Sequence, residues 1–72
     1  MMTPAQCRAA RALLQWNQAH LAEAAQVGVV TVRQFEGENS EPRRATLAAM
    51  RRAFEAAGIE FIDDCGVRVN TG

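Results

Sequence analysis

Asn17-Gln18-Ala19-His20-Leu21-Ala22-Glu23-Ala24-Ala25-Gln26-Val27-Gly28-Val29-Val30-Thr31-Val32-Arg33-Gln34-Phe35-Glu36 decides the fold of this chain. Asn17 has the chemistry of a helix cap, and Leu21, Ala22 and Ala25 recur on one helical face, so a helix is predicted over about Gln18 to Ala25. Gln26-Val27-Gly28 interrupts it, with Gly28 in a turn. A second short helix is predicted from about Val29 to Phe35. On it Val32 and Phe35 share one face, while Val30 and Gln34 point the opposite way.

Outward from this pair, Thr3-Pro4-Ala5-Gln6 starts another helix: Thr3 caps, Pro4 suits the first helical position, and Gln6 completes a capping box. It runs to about Gln15, with Cys7, Ala10 and Leu14 at helical spacing and Leu13 widening the stripe. Downstream, Gly37-Glu38-Asn39-Ser40-Glu41-Pro42 is loop chemistry. A longer helix follows over about Arg43 to Ala57, with Leu47, Met50, Phe54 and Ala57 on one stripe and Gly58 as its stop.

The period then changes. Ile59-Glu60-Phe61-Ile62-Asp63 and Val67-Arg68-Val69 flank Asp64-Cys65-Gly66, a hairpin pattern that puts Gly66 where positive φ is needed. A lone hairpin is marginal in water, so it must pack on the helices or extend a partner's sheet. The expected fold class is mainly α: four helices over 1–58, then a short β-hairpin over 59–72 that is a candidate dimerisation element.

Seventy-two residues bound this to one small domain with a modest core. The apolar share of 49% argues against disorder, and its richness in alanine favours close helix packing. No apolar run approaches the ~20 residues of a membrane span, and no signal-peptide pattern is present, so a cytoplasmic protein is expected. Cys7 and Cys65 fit no metal-ligand spacing and read as free thiols, with a disulfide between them the lesser alternative.

Catalysis finds no support. His20 is the single histidine and has no ligand set around it. Asp63 and Asp64 are adjacent, so on a strand they would face opposite sides. No phosphate loop, nucleophile elbow or cofactor fingerprint occurs, and neither an enzyme, a cofactor nor a bound metal is expected.

The eight basic residues are all arginine and are matched by eight acids, giving a formal charge of zero. That total counts against a nucleic-acid partner, but its distribution does not. Arg43, Arg44, Arg51 and Arg52 lie in a stretch without acids, while Glu55, Glu60, Asp63 and Asp64 follow it. A neutral sum can hide one basic face and one acidic face.

Two short helices joined by a tight turn and flanked by supporting helices form the arrangement that lays a recognition helix in the DNA major groove. The run Arg11-Ala12-Leu13-Leu14-Gln15-Trp16-Asn17-Gln18-Ala19-His20-Leu21-Ala22, with Val27, Val32 and Phe35-Glu36, resembles the Cro/C1-type (xenobiotic-response-element) helix-turn-helix family. Arg44 to Gly58 followed by Ile59-Glu60-Phe61-Ile62-Asp63 is similar to its small alphaproteobacterial regulators. The resemblance covers nearly the whole chain and implies a repressor-like helix-turn-helix domain. It also implies a sequence-specific regulator of transcription, expected to be a repressor or autorepressor that binds palindromic double-stranded DNA as a homodimer.

The family's base readers fall on Val29, Val30 and Gln34, with Arg33 alongside. Glutamine suits adenine, arginine suits guanine or a phosphate, and valine suits a thymine methyl. Gln18 matches a residue that grips the DNA backbone, and a helix N-terminus favours a phosphate on physical grounds too. Thr31, Asn39, Ser40, Arg43 and Arg44 are the other candidate phosphate contacts, with Glu38 and Glu41 opposing them. Arg11 and Glu36 match a structural ion pair that orients the recognition helix. Trp16 is expected to cover the core where the first two helices meet. Phe61, Ile62, Val67 and Val69 are the candidate dimer contacts.

The chain departs from the family pattern in three places. Gln26 stands where many relatives have glycine, Gly28 replaces a polar cap, and the glycine after the third helix is displaced to Gly37. The recognition helix is also rich in valine. An alternative is therefore a module that keeps the fold but docks on a protein partner, as an adaptor, antiactivator or antitoxin does.

Overall fold

The first two helices begin at side-chain caps. The computed structural model describes residues 2–63 and 65–70. It contains α1 (Pro4–Leu14), α2 (Gln18–Ala25), α3 (Val29–Glu36) and α4 (Arg44–Ala56), followed by β1 (Ile59–Ile62) and β2 (Gly66–Val69). The fold class is thus mainly helical with a C-terminal antiparallel hairpin.

The Thr3–Gln6 capping box is reciprocal: Gln6 N–H donates to Thr3 Oγ1 at 3.1 Å, and Thr3 N–H donates to Gln6 Oε1 at 3.0 Å. Asn17 caps α2 by accepting the His20 N–H at 2.7 Å. Two supporting details differ from expectation. Leu13 is 47% exposed, so it does not join the inward stripe of Cys7 and Ala10. Ala57 is exposed and serves as the C-cap of α4, one residue beyond the helix, so it does not join the buried stripe of Leu47, Met50 and Phe54.

Leu21, Val32, Met50, Phe54 and Cys7 are fully buried, so every helix contributes to one core. An aromatic series crosses it. His20 stacks on Trp16 with ring centroids 4.4 Å apart, Trp16 on Phe54 at 5.8 Å, and Phe54 meets Phe61 at 6.1 Å. Arg51 lies over the Phe61 ring, 4.7 Å from its centroid. Such ring pairs each add about 0.5–1.5 kcal/mol beyond area burial. Trp16 therefore covers the junction of α1, α2 and α4, as its position between the helices predicts.

The hairpin pairs within the chain, with Ile59 opposite Val69 and Phe61 opposite Val67. It packs on α1 and α4, and Ile59 belongs to the core. Gly58 turns the chain out of α4 at φ 99°, a conformation that suits glycine. The tip differs from expectation. Asp63, not Gly66, has the left-handed φ of 52°, and Gly66 is instead the first residue of β2. Asp64, expected in this turn, lies outside the described residues.

One side chain clamps the hairpin to the start of the chain. Buried Gln6 uses Oε1 for the α1 cap, and its Nε2 donates to the carbonyls of Asp63 at 2.8 Å and Gly66 at 3.1 Å.

Candidate nucleic-acid interface

α2 and α3 are joined by Gln26, Val27 and Gly28. Gln26 ends α2 in the left-handed region at φ 59°, and Val27 N–H returns to Ala22 O at 2.9 Å. Gly28 caps α3 without a side chain, which leaves the first N–H groups of that helix to solvent or an anion.

The two faces of α3 separate cleanly. Val32, Phe35 and Glu36 are buried, and Val29 is half-buried against the core. Val30, Arg33 and Gln34 are exposed together, at positions that share one helical face. Of the four candidate base contacts, Val30, Arg33 and Gln34 thus face outward, whereas Val29 is committed largely to packing. Thr31 is half-buried beside them.

Asn39 and Ser40 lie exposed in the loop after α3, and Arg43 and Arg44 are exposed where α4 begins. Among the described residues no carboxylate forms an ion pair with Arg33, Arg43 or Arg44. By contrast, Arg51 pairs with Glu55 at 3.1 Å and Arg68 with Glu60 at 2.9 Å. Glu36, Glu55 and Glu60 are thus engaged with Arg11, Arg51 and Arg68 and not with the exposed arginines beside α3.

Helix polarity adds to the effect. α2, α3 and α4 all lack an acid in the first turn, and α4 starts with two arginines. Cations at a helix N-terminus oppose the macrodipole by about 0.3–1 kcal/mol each, an arrangement that an anion bound there would offset.

The orientation of α3 is fixed by its last residue. The Glu36 carboxylate accepts Arg11 Nε at 2.7 Å and Arg11 Nη2 at 2.6 Å, so the expected ion pair is present and bidentate. Cys7 Sγ donates to Oε2 at 3.0 Å, and Gln18 Nε2 donates to Oε1 at 3.1 Å. Arg8 also donates to the Glu36 backbone carbonyl. One carboxylate therefore ties α1, α2 and α3 together.

This network has clear electrostatic consequences. Burial pushes the Glu36 pKa up, but hydrogen bonds from Arg11, Cys7 and Gln18, with the charge of Arg11, hold it below the ordinary value. Burial, reinforced by the hydrogen bond and charge of Glu36, pushes the Cys7 thiol well up, so it stays protonated. The Glu36 hydrogen bond likewise raises Arg11, against the effect of its burial.

Gln18 is placed differently from expectation: its amide is half-buried and engaged with Glu36. Cys7 was missed as a partner of Glu36. It lies one helical turn before Arg11, on the same face, and that i, i+4 spacing was the available signal. Both thiols are free, Cys7 buried and Cys65 exposed.

The four candidate dimer residues do not form one surface. Phe61 and Val67 pack against the core, while Ile62 and Val69 are each 41% exposed. Cross-strand partners share a face, so Val69 lies on the side of Ile59 and Ile62 on the side of Gly66. The exposed pair thus occupies opposite sides of the hairpin.

Among the described residues no helix is long and apolar enough to cross a membrane. No protein-family model matches the chain, and none of the curated proteins compared with it matches either.

Proposed function

We propose that this chain is a sequence-specific regulator of transcription that binds double-stranded DNA, in the manner of the Cro/C1-type helix-turn-helix proteins it resembles. The observation that carries it is α3: Val30, Arg33 and Gln34 stand exposed on one face of a short helix whose opposite face is locked by Val32, Phe35 and Glu36. A rigid helix with a short tight turn before it can enter a major groove and present base-reading side chains. Arg43 and Arg44 would meet phosphates beside that groove and supply affinity without sequence information. The protein acts without catalysis or cofactor, in the cytoplasm, as a repressor or autorepressor.

A domain this small covers little DNA, so useful affinity calls for a homodimer on a palindromic operator. Selection of genomic fragments by the purified protein, at moderate and high salt, tests this. Enrichment of a short palindrome that is lost in Arg33→Ala and Gln34→Ala is the expected result. Weak binding with no enriched sequence overturns it.

The zero net charge and the 52% exposure of Val30 favour a second reading, an adaptor that docks α3 on a protein. Salt separates the two, because DNA binding weakens steeply as salt rises.

A further inference from the structure

Two clefts meet at the loop after α3. The larger, about 420 Å³ in volume, lies between that loop and the residues that precede and begin α1. Met2, Phe35 and Leu47 form its floor, all of them core residues that present only their edges. Glu38 and Glu41 stand exposed on its rim, and its lining contains no basic residue. Among the described residues neither carboxylate forms an ion pair. The smaller cleft shares Glu41 and Leu47 but takes in Arg44, so the basic charge of this region lines the neighbouring cleft and not the larger one.

Carboxylates without an internal partner attract a cation, and an apolar floor favours a hydrocarbon body taken out of water. The volume falls within the roughly 300–1,000 Å³ of small-molecule sites. A stable protein partner would need roughly 20–30 residues a side, far more than three apolar edges provide. We propose that this cleft binds a small organic cation, a monoamine with an apolar body. Glu38 and Glu41 hold its ammonium group, and its hydrocarbon lies over Met2, Phe35 and Leu47. The site is separate from the exposed face of α3, and its assignment does not depend on DNA binding.

The test titrates the full, isotopically labelled chain with hexylammonium at neutral pH and follows its amide resonances. Saturable shifts should concentrate at Phe35, at residues 38–41 and at Leu47. Hexan-1-ol, which has the same body without the charge, should bind about three- to five-fold more weakly, the share expected of exposed ion pairs. Hexanoate should not bind. The double variant Glu38→Gln/Glu41→Gln changes only exposed positions and should bring hexylammonium down to the affinity of the alcohol. Equal affinity for amine and alcohol, amine affinity unchanged in the double variant, or shifts spread over the whole surface overturns the proposal. Equal affinity for Nα-acetyl-lysine amide would assign the cleft to a lysine of a protein partner, and overturns the small-molecule site as well.

Discussion

Glu36 at the end of α3 receives two parallel hydrogen bonds from the Arg11 guanidinium of α1, at 2.6 and 2.7 Å, with the carboxylate almost wholly buried. The bidentate geometry fixes direction as well as distance, so it sets how α3 is held against the rest of the fold. A buried pair adds little net stability, but its broken half is an uncompensated charge. Arg11→Ala and Glu36→Ala should each cost about 3–5 kcal/mol, read from urea midpoints. The double variant Arg11→Met/Glu36→Met should lose far less than the two single losses added together; a double loss equal to their sum would mean the pair is uncoupled.

The same network predicts pH dependence on both sides of neutrality. Glu36 titrates below its ordinary value of 4.5 in the folded chain, so the unfolded state takes up the proton first as pH falls. Its contribution is present above pH 4.5 and is lost as pH falls toward the folded pKa. Cys7 has the opposite sense: its folded pKa lies above the ordinary 9.0, so stability falls as pH rises past 9.0. Urea midpoints measured across pH should show the acid loss reduced in Glu36→Gln and the alkaline loss reduced in Cys7→Ala.

Thiol labelling provides an independent check on the seating of α1. Cys65 is exposed and Cys7 is fully buried. A thiol-specific reagent should modify Cys65 promptly in the native protein and Cys7 only on unfolding. Two fast thiols would show that α1 leaves the core readily.

Two non-glycine residues near the ends of the candidate recognition unit adopt left-handed backbone, Gln26 at φ 59° and Glu38 at φ 60°. Side chains with a Cβ are strained there, by roughly 1–2 kcal/mol, partly offset by the greater freedom glycine gives the unfolded chain. Glu38→Gly and Gln26→Gly should each raise stability by about 0.5–1 kcal/mol. Thermal unfolding reads this directly, since 1 kcal/mol moves the midpoint of a domain this size by about 4–8 °C.

Arg43 and Arg44 test the electrostatic half of the proposed DNA recognition. Each arginine replaced by alanine should weaken binding almost equally across sequences and reduce the slope of log affinity against log salt by about 1. An unchanged slope would place these side chains away from phosphates.

How far the fold could be read from sequence follows from what each signal depends on. Helix bounds depend on caps and periodicity, which are local, so Thr3, Asn17 and Gly58 marked them within a residue or so. The Arg11–Glu36 pair was legible from the family resemblance. The engagement of Gln18 by Glu36 depends on three helices meeting around one carboxylate, which no local pattern encodes, whereas Cys7 shares the face of Arg11 at i, i+4 spacing. Likewise the hairpin tip put its left-handed residue at Asp63 because strand pairing, with Ile62 opposite Gly66, drew Gly66 into β2. Glycine composition favours a turn without choosing its register. The displaced Gly37 illustrates this further: it has φ −84°, and the next residue, Glu38, takes the strained place.

The Gln6 amide makes the chain a closed loop in a mechanical sense. It bridges residues 57 and 60 positions away in sequence, spanning most of the polypeptide with one planar group. A pull on the amino end is therefore felt at the hairpin tip, and trimming or tagging either end loosens both. The two extremities should detach together, so that hydrogen exchange at the first turn of α1 and along β2 reports a single opening event.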